Sequence, residues 1–112
     1  LVEQLRQANL WSRTTILVAS EMSRTPQLND GEGKDHWPVT SSLILGGSIN
    51  GGRILGGTDD DLLPLPMDLS TGSIAAGGTA LMPAHLINGL LRHLGVPQQP
   101  QHPSNGDAVD LG

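Results

Sequence analysis

An α/β fold, with a parallel-dominated sheet under covering helices, is what this sequence predicts, and three observations carry it. Val2, Leu5 and Ala8, with Leu1 beside Leu5, set apolar side chains at helical spacing over residues 1 to 11. Thr14 to Ser20 (TTILVAS) follows directly, β-branched and apolar without alternation, the pattern of a strand covered on both faces. Near the other end, Leu86, Ile87, Leu90, Leu91 and Leu94 form a second helical stripe. Helix, short turn and buried strand make half of an α/β unit.

The remaining elements follow in order. Glu21 to Thr40 is polar and broken by Pro26, Gly31, Gly33 and Pro38, a connection long enough to be functional in its own right. In Ser41 to Leu55 two apolar runs flank Asn50-Gly51. Both residues tolerate positive φ, so a two-residue hairpin turn is expected there. Thr58 to Ala76 is acidic and then proline-rich, and reads as irregular. Pro83 suits the first turn of the C-terminal helix and Gly95 its stop. From Pro97 to Gly112 the composition is that of a disordered tail, and residues 1–96 read as one portion of a domain. No internal repeat is visible.

Composition limits the function classes. Phenylalanine, tyrosine and cysteine are absent, and two tryptophans are the only aromatics. Large aromatics usually supply much of a core, so this one must be thin and aliphatic. Fifteen glycines and eight prolines add many breaks. The sequence opens at Leu1 inside a helical pattern, without a start methionine, which reads as a piece of a larger domain. A net charge of −5 with no basic stripe argues against nucleic acid, whose binding depends on neutralising phosphates. The longest fully apolar run, Ile16 to Ala19, is far too short to span a membrane. Without cysteine there is no disulfide, thiolate metal site or cysteine nucleophile in this stretch.

The chemistry-bearing residues gather in the long loop. Glu21 is the first residue past the expected strand, and in open α/β sheets ligands bind beyond the carboxyl ends of strands. The loop leaving it carries Asp30, Glu32, Asp35 and His36, and carboxylate with imidazole is a reasonable donor set for Zn, Mn or Fe. Equally, Glu21 could pair with Arg24, and Asp35 could orient His36 on a surface loop. Arg24, in Arg24-Thr25-Pro26, could grip a phosphate, sulfate or carboxylate bidentately, or brace the loop by pairing with Glu21 or Asp35. Trp37 and Pro38 either wall a pocket or bury one face of the loop. Gly47, Gly52 and Arg53 imitate the spacing of a phosphate loop but lack its Lys-Ser/Thr. Asp59-Asp60-Asp61 reads as a solvated turn, without the alternating ligands and central glycine of a calcium loop. His85 and His93 stand eight residues apart, about 12 Å along a helix, and read as helix surface; His102 falls in the tail.

TTILVASEMSRTP, GKDHWP and SLILGGSINGGRILGGTDD, in that order, resemble the bacterial domain of unknown function 1501 family. That family shows a strand, then Glu-Phe-Gly-Arg-Thr-Pro, then Gly-Arg-Asp-His-Trp, then a glycine-rich segment ending in Gly-Ala-Thr-Asp. The resemblance covers roughly residues 1 to 96 and implies the C-terminal part of an alkaline phosphatase/sulfatase-like sheet with covering helices. It also implies metal ligands at Glu21, Asp35 and His36; in a hydrolase of that kind Arg24 would steady the anion. Two departures stand out. Met22 takes the place of a superfamily histidine, which counts against a two-metal site, and Met22-Ser23 replaces the family's own Phe-Gly.

What the resemblance implies about function is a metal-dependent hydrolase-like domain acting on a phosphate or sulfate ester, with a divalent Zn, Mn or Fe ion. Glu21 and His36 would ligate, and Asp35 would ligate or orient His36. The nucleophile would lie upstream of residue 1, in a missing N-terminal part of the same domain, so the 112 residues alone would be inactive. A non-catalytic exported binding or assembly domain is the alternative. Family members often carry export signals, which implies a periplasmic or exported location.

Overall fold

A computed structural model describes residues 1–97 and 107–112 of the 112. Helices and strands are mixed in it, as the sequence predicts. The chain divides into two compact units, Leu1–Ile49 and Asn50–Gly112.

The first unit opens with α1 (Val2–Gln7), shorter than the helical spacing suggests. Asn9 ends it, at φ 57°. This is the left-handed region, which asparagine enters more readily than most residues. A 3₁₀ turn over Trp11–Arg13 follows, and the Arg6 guanidinium lies 5.7 Å from the centroid of the Trp11 ring. β1 (Thr15–Val18) then pairs with β4 (Leu43–Gly46) in antiparallel register, Thr15 opposite Gly46 and Val18 opposite Leu43. Between them lie β2 (Ser23–Arg24) and β3 (His36–Trp37), a second antiparallel pair. No residue of this unit is fully buried.

Two expectations are corrected here. The Thr14–Ser20 run does form a strand, but its partner is antiparallel and its C-terminal half, Leu17 and Val18, is exposed. An apolar β-branched run reports strand propensity and says nothing of the direction of its neighbour. All the pairings among the described residues are antiparallel, so no parallel sheet of the alkaline phosphatase kind is seen among them. Nor does Asn50-Gly51 turn a hairpin. The partner of β4 is β1, and the chain leaves β4 earlier, where the Gly47 amide donates to the Trp11 carbonyl (3.2 Å) and the Ile49 amide to the Gly46 carbonyl (3.4 Å). A Cβ on Gly47 would stand 2.6 Å from that Trp11 oxygen, so the close approach requires glycine.

Among the described residues, the fully buried hydrophobics all fall in the second unit: Met67, Leu90, Val109 and Leu111. β5 (Pro66–Met67) and β6 (Thr79–Ala80) pair antiparallel, so the stretch read as irregular contributes one strand of a short ladder. α2 (Pro83–His93) runs as expected, with Pro83 in its first turn and Gly95 at φ 70° past its end. Its buried face is another matter. His85, Asn88 and Gly89 are buried with Leu90, while Ile87 and Leu94 of the leucine stripe are exposed. His85, read as helix surface, instead accepts the Met82 N–H at Nδ1 (3.1 Å) and closes the start of the helix.

What packs against α2 is the segment 107–112, of which Val109 and Leu111 are buried. Asn88 donates from Nδ2 to the Asp107 carbonyl (2.8 Å), and the Val109 amide donates to the His85 carbonyl (3.2 Å). Of the segment read as a disordered tail, residues 98–106, with His102, lie outside the described residues. Asp107–Gly112 are packed, with Val109 and Leu111 buried. No helix among the described residues is long and apolar enough to cross a membrane.

Candidate functional site

Glu21 leaves the end of β1 into solvent. The Ser20 hydroxyl donates to the Met22 carbonyl at 2.8 Å and reaches Glu21 Oε2 only at 3.5 Å, too long to hold the carboxylate firmly.

The other three residues of interest sit on the β2–β3 hairpin. Arg24 is the direct cross-strand partner of His36, and Ser23 of Trp37. Side chains alternate along a strand and cross-strand partners share a face. Arg24 and His36 therefore project together from one side, and both are exposed. Ser23 and Trp37 occupy the other side, half-buried, with the Ser23 hydroxyl donating to the Val39 carbonyl. Trp37 thus buries one face of the hairpin and does not wall a pocket around His36.

The loop joining these strands is organised by Asn29, which sequence reasoning passed over. Its Oδ1 accepts the amides of Gly31 (3.0 Å) and Gly33 (2.9 Å), and its Nδ2 donates to Asp35 Oδ1 (2.8 Å). Thr25 closes the base of the loop: its amide donates to the Asp35 carbonyl (3.0 Å), and its Oγ1 accepts the Asp35 amide (3.1 Å). Asp35 is thereby a brace of the loop. Arg24 donates from Nη1 to the Lys34 carbonyl (3.3 Å), so its partner is backbone in place of the expected carboxylate. The signal that could have found the hub is Asn29-x-Gly31-x-Gly33, since asparagine bonds amides two residues on and glycine frees the backbone to comply.

Do these residues fit a metal? Among the described residues, no group of three or more His, Asp or Glu side chains stands close enough to hold one. Glu21, Asp35 and His36 are not brought together as a ligand set. Asp35 is engaged by Asn29, and His36 has a guanidinium-bearing neighbour across the strand pair, where a cation would be repelled. Among the described residues these three do not by themselves complete a metal site. What the hairpin does bring together is Arg24 and His36, a pair of nitrogen donors suited to an anion. A cavity of about 120 Å³ lies in the second unit, between the last turn of α2 and residues 109–112; none of the four residues lines it.

These features define a class: a mixed α and β chain of short antiparallel pairs, whose loops are held by polar side chains and one of whose hairpins displays Arg24 beside His36. The family model described as Protein of unknown function (DUF1501) matches residues 1–66. The chain belongs to that family, and the match takes in Glu21, Arg24, Asp35 and His36. No curated protein and no solved structure matches the chain.

Proposed function

We propose that the β2–β3 hairpin is the anion-gripping part of a phosphate or sulfate ester hydrolase-like domain, related to the alkaline phosphatase and sulfatase superfamily. The observation that carries this reading is the shared exposed face of Arg24 and His36. A planar guanidinium offers two parallel donors to an oxyanion, and an imidazole N–H beside it adds a third. The Asn29 and Thr25 hydrogen bonds fix the loop before any ligand arrives, which lowers the ordering cost of binding. In this reading the 112 residues supply anion binding and orientation. The nucleophile and any complete metal site belong to further parts of the domain, and the chain alone turns nothing over.

A second reading rests on Met22, half-buried where the superfamily pattern has histidine. It makes the domain a non-catalytic exported binding or assembly module. Both readings are tested by titrating the 112-residue chain with sulfate and with phenyl phosphate, following the side-chain NMR signals of Arg24 and His36. The hydrolase-like reading expects both signals to move together and Arg24→Ala to weaken binding about five- to tenfold, on the order of 1 kcal/mol for an exposed charge-assisted contact. Anions that shift neither signal would sink it. For the longer parent, ester turnover that disappears with Arg24→Ala separates the hydrolase from the module, and metal content compared with Glu21→Ala and His36→Ala separates the metal-dependent form.

A further inference from the structure

Three Asn-Gly pairs occur in the sequence, at 50–51, 88–89 and 105–106, and the first two stand in opposite surroundings. Asn88 lies on α2, 1% exposed, with its Nδ2 donating to the Asp107 carbonyl. Asn50 is exposed in a stretch without helix or strand. Its backbone is engaged, the N–H donating to the Leu111 carbonyl (3.1 Å) and the carbonyl accepting Arg53 Nε (3.0 Å). Its side-chain amide has no partner among the described residues. The next residue is as free: the Gly51 amide has no acceptor among the described residues, nothing lies within 4 Å of where its Cβ would be, and Gly52 follows at φ 75°.

We propose that Asn50 is a self-modification site, at which the chain converts its own asparagine to aspartate and isoaspartate. The nitrogen of Gly51 attacks Asn50 Cγ. A C–N bond forms between them and the Cγ–Nδ2 bond breaks. The proton of the Gly51 amide leaves with the departing nitrogen as ammonia, and a five-membered succinimide remains. Water then opens that ring at either carbonyl, giving aspartate or isoaspartate with no change of oxidation state. The step needs an unencumbered Cγ, a glycine amide free of other bonds, and backbone room for ring closure. Asn50-Gly51 offers all three, whereas Asn88 would first have to open α2 and release Asp107.

Either product adds one negative charge to the net −5. In the isoaspartate form the carbonyl that Arg53 Nε now contacts becomes a free carboxylate, while the main chain passes through Cβ. Arg53 also donates from Nη2 to the Asp110 carbonyl (2.7 Å), so the change falls on a contact of the residue that, with the Asn50 amide, ties residues 50–53 to the C-terminal segment.

The experiment is incubation of the 112-residue chain in mildly alkaline buffer, native and in urea, with peptide mass spectrometry resolving each Asn-Gly pair over time. An isoaspartyl methyltransferase reports the isoaspartate fraction. Expected is a native rate at Asn50 close to its rate in urea, beside a native rate at Asn88 lower than its urea rate by about tenfold or more. Gly51→Ala, whose methyl enters open space, should slow conversion at Asn50 and leave the fold intact. Equal native rates at Asn50 and Asn88, or an Asn50 stable in the native chain and converted only in urea, would overturn the proposal. The native-to-urea comparison needs no variant.

Discussion

Gly89→Ala sets two physical effects against each other, and the structure decides between them. Alanine in place of an interior helical glycine ordinarily stabilises by roughly 1 kcal/mol. Here the new methyl would stand 2.5 Å from the Val109 carbonyl oxygen and 3.0 Å from Val109 Cγ1. The nearer atom is backbone, so relief requires residues 107–112 to move as a piece. If they stay, overpacking costs roughly 1–3 kcal/mol. If they leave, Val109 and Leu111 return to water at roughly 1.5–3 kcal/mol each, and Asn88 loses the Asp107 carbonyl. The cheaper route sets the effect, so the strained docked state loses about 1–3 kcal/mol relative to the undocked one. The helix gain is common to both states and cancels from that difference. Amide exchange should therefore accelerate about 5- to 150-fold at Val109, bonded to the His85 carbonyl, and at Asp110, bonded to the Leu69 carbonyl at 2.9 Å. Gly77→Ala, whose methyl meets nothing within 4 Å, is the control and should leave that exchange unchanged. A Gly89→Ala chain that melts higher, with Val109 and Asp110 still protected, would refute the docking of this segment on α2.

Three further outcomes follow from the loops. Glu32 (φ 58°) and Leu62 (φ 61°) are held in the left-handed region, where a side chain costs roughly 1–2 kcal/mol. After allowing for the extra freedom of glycine in the unfolded chain, Glu32→Gly and Leu62→Gly should each be neutral to about 1 kcal/mol stabilising by thermal melt, and a loss above that scale would contradict the strain. Asn29→Ala removes the acceptor of the Gly31 and Gly33 amides and the donor to Asp35. It should cost on the order of 1 kcal/mol and speed exchange at both glycines while leaving the β1–β4 amides protected; unchanged exchange at the glycines would count against the hub. Asp68 is held below the usual carboxylate range, first by the Ser70 hydroxyl and then by the Ser70 and Thr71 amides. A depressed folded value contributes stability that is present above the ordinary carboxylate range and lost as pH falls through the lowered value. Ser70→Ala should raise the Asp68 titration midpoint by carboxyl NMR, and an unmoved midpoint would reassign the cause.

How much of this was legible in the sequence differs element by element. α2 was readable at both ends because Pro83 and Gly95 are local signals, and its extent came out within a residue. Its packing was not. The leucine stripe suggested one face, but the segment that docks there approaches through Gly89, the position where backbones can come closest. β1 was readable as a strand from its β-branched run, while its pairing with β4, some thirty residues on, depended on long-range register that no local pattern encodes. Asn50-Gly51 misled for the same reason, since a turn signal acts only if both flanking runs need each other as partners. At the candidate site, the sequence identified the residue types but not their arrangement. A two-residue ladder puts Arg24 with His36, and leaves Asp35, adjacent in sequence, bonded to Asn29.

A polar device repeats where the core is thin. Asn29 Oδ1 accepts the amides two and four residues on, the Asn29 amide donates to the Gly33 carbonyl (2.8 Å), and Glu32 between them takes positive φ. Asp59 does the same: its Oδ1 accepts Asp61 and Leu63, its amide donates to the Leu63 carbonyl (3.0 Å), and Leu62 takes positive φ. One five-residue loop thus occurs in both units, written in sequences that share almost nothing, Asn-Asp-Gly-Glu-Gly and Asp-Asp-Asp-Leu-Leu. Two such hydrogen bonds, at about 1 kcal/mol each, match the lower end of what burying one aliphatic side chain contributes. In a unit with no fully buried residue that is a large share of what fixes the backbone. The Arg24–His36 face is accordingly held by hydrogen bonds that reach it through Asp35 and Thr25. Its rigidity should therefore follow the integrity of the Asn29 loop more closely than the packing of β1 against β4.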